Sequence, residues 1–159
     1  MTRKKFKQGI YKPQNPEKYY HSNTYMNEGS EYPIYRSSWE LKFFKYCDLT
    51  PEIEKWSSEP FAIKYIHPQD NKVHRYYPDY LILRNGKKIL VEIKPKCQAI
   101  SPHSQYDKGQ FAINQAKWNA AQEFCKANNM QFIVLTEKEL GIGGQKRKIP
   151  RTQKIRSFT

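Results

Sequence analysis

The run His74-Arg-Tyr-Tyr-Pro-Asp-Tyr-Leu-Ile-Leu-Arg-Asn-Gly-Lys-Lys-Ile-Leu-Val-Glu-Ile-Lys94 decides how this chain is read. Two apolar stretches flank Asn85-Gly86, the dipeptide that suits the two positive-φ positions of a type I′ turn, so the run reads as a β-hairpin. With a two-residue loop Arg84 faces Lys87, and counting outward along both strands Asp79 faces Glu92. Side chains alternate along a strand, which puts Lys94 on the face of Glu92. Leu81, Leu83 and Leu90 line that face nearer the turn, and Tyr80, Ile82, Ile89 and Val91 line the other.

Two carboxylates directly across a sheet repel one another. A divalent cation between them removes the objection, because Mg²⁺ typically takes one or two carboxylates, keeps several waters and accepts phosphate oxygens. A lysine beside it can orient an attacking water and balance charge developing on phosphorus, which is the chemistry of phosphodiester hydrolysis. A plainer reading makes Asp79 the end of a turn after Pro78 and Glu92-Ile-Lys94 an ordinary exposed edge. Leu90, Val91 and Ile93 make that strand too apolar for an idle edge.

Upstream, Ser37-Ser-Trp-Glu40 opens a helical stripe of Trp39, Phe43, Tyr46 and Cys47 that stops before Pro51. Phe61-Ala-Ile-Lys-Tyr-Ile66 reads as a strand. Downstream, residues 109–128 read as a long helix with Phe111, Trp118, Ala121, Phe124 and Cys125 inward. Gln131-Phe-Ile-Val-Leu135 reads as a short buried strand, and Thr136-Glu-Lys-Glu139 as a capping box opening one more helical turn. The expected order is helix, three strands, helix, strand. A strand, helix and strand in succession favour a right-handed crossover to a parallel neighbour, hence an α/β fold with a mixed sheet flanked by helices. The expected organisation is a basic, aromatic N-terminal arm over residues 1–33, one folded domain over 34–143 and a basic tail over 144–159.

Charge supports a polyanionic partner. The 159 residues carry 28 Lys and Arg against 15 Asp and Glu, a net charge of +13. Residues 1–31 hold six basic and three acidic groups and residues 144–159 six basic and none acidic, so the two ends supply nine of the thirteen excess charges. Such runs can be solvated tails. Two of them flanking a nearly balanced middle favour nucleic acid, since each phosphate neutralised releases counterions. Lys146, Arg147, Lys148 and Arg151 are the candidate DNA contacts.

Cys47, Cys97 and Cys125 are widely spaced, with no C-x-x-C pair, and read as neither a zinc knuckle nor a disulfide framework. Cys47 and Cys125 fall in helical apolar patterns and are expected in the core. His74 and His103 lack a ligand-like spacing and read as surface or DNA-side residues. No run approaches the ~20 apolar residues of a membrane span, and no signal peptide is evident.

Pro78-Asp79 and, after twelve intervening residues, Glu92-Ile-Lys94 resemble the PD-(D/E)xK signature of the restriction-endonuclease-like superfamily. Together with Tyr35-Arg-Ser-Ser-Trp-Glu40, Trp56 to Pro60, Tyr77-Pro-Asp-Tyr80, Val91-Glu-Ile-Lys-Pro95 and Leu135-Thr-Glu137, they resemble the TnsA-type endonuclease domain across about residues 11–143. Within that family the chain is similar to the small stand-alone nucleases of contractile-tailed phages that act in head completion. The resemblance implies a Mg²⁺-dependent DNA endonuclease, with Mn²⁺ able to substitute, whose catalytic residues are Glu40, Asp79, Glu92 and Lys94 and whose metal ligands are Asp79, Glu92 and Glu40. Ser37-x-x-Glu40 is equally a capping box, in which Glu40 would satisfy a backbone amide at the helix start. The implied setting is the infected bacterial cytoplasm or the virion head, with phage portal or neck proteins as further partners and no membrane. Two other functions compete: a non-enzymatic basic DNA-binding protein of the phage head, and a TnsA-like transposase subunit, which ordinarily carries a further C-terminal domain.

Overall fold

The computed structural model describes residues 7–22, 29–94 and 105–140. Short strands β1 (Gly9–Ile10) and β2 (Ile34–Tyr35) pair antiparallel beside α1 (Ser38–Leu49). Then come β3 (Ile53–Ser58), β4 (Ile63–Ile66), β5 (Val73–Tyr76), β6 (Tyr80–Arg84), β7 (Lys87–Ile93), the long α2 (Gln105–Ala127), β8 (Gln131–Leu135) and a last helical turn at Glu137–Leu140. The main sheet has the order β3-β6-β7-β8, antiparallel except for the parallel β7–β8 pair that α2 connects. It is the expected mixed sheet flanked by helices.

The β6–β7 hairpin turns where its sequence demands. Asn85 and Gly86 both take positive φ, 47° and 77°, and the ladder runs from Arg84↔Lys87 out to Tyr80↔Val91. Tyr80, Ile82, Ile89 and Val91 pack with Phe43, Phe44 and Cys47 of α1 and with Ile53 and Trp56 of β3. Tyr80 stacks on Phe43 with ring centres 4.2 Å apart. Leu90 belongs to a second core on the opposite face, with Ala121 and Cys125 of α2 and with Ile63, Tyr65 and Tyr76. β7 is therefore covered on both faces and paired on both edges, which explains its near-continuous apolar run.

The expected strand count is too small. Ile53–Ser58 supplies an outer strand of the main sheet, and Phe61–Ile66 does not join that sheet: its strand part, β4, pairs only with β5 as a separate ribbon. Polar Glu54 and Lys55 and a register shift between Ile53 and Lys55 break the alternation that identifies a strand. α2 also begins at Gln105 rather than near 109.

Before α1, residues 11–20 run along that helix and β3. Buried Asp48 accepts hydrogen bonds from the Tyr11 hydroxyl (2.6 Å) and the Gln14 and Asn15 amides (2.8 and 2.9 Å). Burial opposes its ionisation, but these donors outweigh burial and hold the carboxyl below its ordinary value. Lys18 Nζ donates to the carbonyls of Cys47, Asp48 and Thr50 at 2.9–3.0 Å, satisfying the end of α1. Cys47 and Cys125 are buried free thiols. Cys97, His103 and the segment 144–159 with Lys146, Arg147, Lys148 and Arg151 lie outside the described residues. Among the described residues no helix is long and apolar enough to cross a membrane.

Candidate active site

Beyond the last ladder pair of the hairpin, Asp79 and Glu92 meet. Asp79 Oδ2 accepts a hydrogen bond from the Ile93 amide at 2.7 Å, and its carbonyl accepts one from the Glu59 amide at 2.7 Å. Glu92, only 3% exposed on the central strand, accepts a hydrogen bond at Oε2 from the Tyr76 hydroxyl at 2.6 Å. Lys94 Nζ stands 3.5 Å from Glu92 Oε1, and the Lys94 amide donates to the Leu135 carbonyl at 2.9 Å, so β8 fixes the backbone beneath it. Two carboxylates and an ammonium thus converge at the end of β7, with Asp79 Oδ1 and Glu92 Oε1 the oxygens that Ile93 and Tyr76 do not engage.

The electrostatics are those of like charges in a dry place. Burial, then Glu92 and more weakly Glu40, push the Asp79 carboxyl well above its ordinary range, against the Ile93 amide and Lys94. Burial likewise raises Glu92, against Lys94, the Tyr76 hydroxyl and Lys117. Crowded carboxylates relieved by neighbouring cations fit a hard divalent cation, and the all-oxygen donor set fits Mg²⁺ better than a softer metal.

Glu40 occupies the first turn of α1. Its Oε2 accepts the Arg36 amide at 2.6 Å, and its own amide donates to Ser37 Oγ at 3.1 Å, so it caps the helix. The same carboxylate lies near enough to contribute to the raised values of Asp79 and Glu59.

Two neighbours escape the sequence reading. Tyr76, the donor to Glu92, comes from the β4–β5 ribbon. Lys117 comes from α2, its Nζ 5.7 Å from the Tyr76 ring centre and 5.9 Å from that of Tyr65. Burial lowers the Lys117 ammonium, as does Lys94, while Glu92 and Asp79 oppose them. Its signal was spacing: Lys117 lies three residues from Asn114 and four from Ala121, both fully buried, so it shares their helix face. His74 stands at the tip of the ribbon, paired with Asp70.

Residues 50–137 match the family model of the TnsA-like endonuclease N-terminal domain. The chain is also 34% identical over 119 residues to the head completion nuclease of Enterobacteria phage T4, an alignment covering 67% of this chain and 79% of that protein.

Proposed function

The chain belongs to the TnsA-like endonuclease family, and from that premise we propose that it is a Mg²⁺-dependent DNA endonuclease of the PD-(D/E)xK type acting in phage head completion. The observation that carries the reading is the meeting of Asp79, Glu92 and Lys94 at the end of β7, with both carboxyls raised by burial. Asp79 and Glu92 would hold the cation, with Glu40 completing its surroundings from α1. A bound divalent cation supplies Lewis-acid polarisation of a phosphodiester oxygen. Lys94 Nζ would donate a hydrogen bond to the phosphate as negative charge develops there, and would orient the attacking water. Tyr76 holds Glu92 Oε2 and so leaves Oε1 toward Lys94. Lys117, on the same side, adds positive charge where a DNA phosphate would sit. The assignment to head completion rests on the similarity to the T4 protein; portal or neck proteins of the particle are the partners it suggests.

Incubation of the purified chain with supercoiled plasmid tests the reading. Nicking or linearisation in Mg²⁺, abolished by EDTA and in Asp79→Ala, is the expected result. Tight DNA binding without any cleavage in Mg²⁺ or Mn²⁺ would favour the non-enzymatic DNA-binding protein instead.

A further inference from the structure

The ribbon β4–β5 folds three potential metal ligands together at its tip, although their spacing in sequence gives no sign of it. In the ribbon's register Tyr65 pairs with His74 and Ile66 with Val73, so His67, two residues beyond Tyr65, projects from the same face as His74. The two imidazole rings lie with centres 4.4 Å apart. The loop between them is closed by the His67 amide on the Lys72 carbonyl and the Asn71 amide on the His67 carbonyl, both at 2.9 Å, with Asn71 at φ 55°. Asp70 Oδ1 accepts the Lys72 amide at 2.9 Å, which turns Oδ2 to His74 Nε2 at 2.8 Å. One ligand atom from each of His67, Asp70 and His74 lies within 4.8 Å of the others. A cation with bonds of about 2.0–2.2 Å spans ligand atoms up to roughly 4 Å apart, so small side-chain rotations close the set.

We propose that His67, Asp70 and His74 form a second cation site, selective for a borderline transition metal such as Zn²⁺. Two imidazoles and one carboxylate are the donor set of zinc, whereas the oxygens of Asp79 and Glu92 suit Mg²⁺. The two sites therefore sort metals by ligand chemistry. A two-stranded ribbon is marginal by itself, and the cation would tie β4 to β5 at the end remote from the Ile63↔Tyr76 pair. The opposite end, which carries the Tyr76 hydroxyl to Glu92, would thereby be held in place.

Calorimetric titration of Zn²⁺ into the chelator-treated full chain, in excess Mg²⁺, tests the site. One equivalent should bind despite the Mg²⁺. Binding should weaken at least ~10-fold in His67→Ala and in His74→Ala, and stay unchanged in the Asp79→Ala, Glu92→Ala double variant. Imidazole NMR signals of His67 and His74, not those of His21, should shift on addition of Zn²⁺. Asp70→Asn, a conservative change in an exposed loop, should also weaken binding, which guards against misfolding of the histidine variants. The proposal is overturned if no Zn²⁺ binds in excess Mg²⁺, or if binding is lost with Asp79 and Glu92 rather than with the two histidines.

Discussion

Asp79 is built into a place where its own charge is unwelcome, which ties its chemistry to stability. Burial and Glu92 raise its carboxyl well above the ordinary value near 4. Between that value and the raised one the folded, metal-free protein holds a proton that the unfolded chain has released, so stability declines as pH rises through that window. Asp79→Asn should flatten this decline, raise metal-free stability at pH 7, and abolish cleavage; thermal melts from pH 5 to 8 measure the first two effects. A melt as steep in pH as that of the unaltered chain would remove Asp79 from the strained pair. Glu40 separates along a different axis. Its Oε2 accepts one backbone amide, and a glutamine can accept the same bond, so Glu40→Gln should leave stability within about 0.5 kcal/mol. A carboxylate that also serves the cation should lose at least tenfold in rate, about 1.4 kcal/mol of barrier. An unchanged rate at saturating Mg²⁺ would reduce Glu40 to a cap.

At the level of elements, the turn is the cleanest test. Gly86 takes φ 77° with open space where a Cβ would stand, so Gly86→Ala meets backbone strain and no clash. Urea unfolding should show a loss of about 1–2 kcal/mol, with cleavage retained because the Ile93 amide still fixes Asp79. Loss of activity without loss of stability would mean that the turn, not the ladder, positions the site. The hairpin was legible in sequence because Asn85-Gly86 between two apolar strands specifies one register, and continuing that register past Tyr80↔Val91 brings Asp79 toward Glu92, where the Ile93 amide holds it. β3 was not legible, since the partners of its polar residues come from elsewhere: Ser58 offers its carbonyl to Ser22, and Glu54 Oε1 accepts the Gly86 amide. The same limit hid Tyr76 and Lys117. The spacing of Lys117 from Ala121 marks its helix face, but that this face and Tyr76 meet Glu92 depends on how the ribbon and α2 pack over the sheet, a tertiary matter. Likewise His67 and His74, seven residues apart, become neighbours only across the ribbon.

For the whole molecule the question is how a net charge of +13 divides between binding and chemistry. Lys146, Arg147, Lys148, Arg151, Lys154 and Arg156 lie in a segment without an acidic group. Deleting residues 144–159 should flatten the slope of log affinity against log salt by about two to four, at ~0.9 per phosphate contact, while cleavage persists at low salt. An unchanged slope would turn that segment toward a protein partner. The central claim, that Asp79, Glu92 and Lys94 do the chemistry, is tested most directly by separating binding from cleavage. DNA affinity measured in Ca²⁺ and single-turnover cleavage measured in Mg²⁺ should be compared for Asp79→Ala, Glu92→Ala and Lys94→Ala. All three should bind supercoiled DNA about as tightly as the unaltered chain and cleave it at least ~1,000-fold more slowly, some 4 kcal/mol of barrier. A folded variant among them that cleaves at the unaltered rate would contradict the assignment.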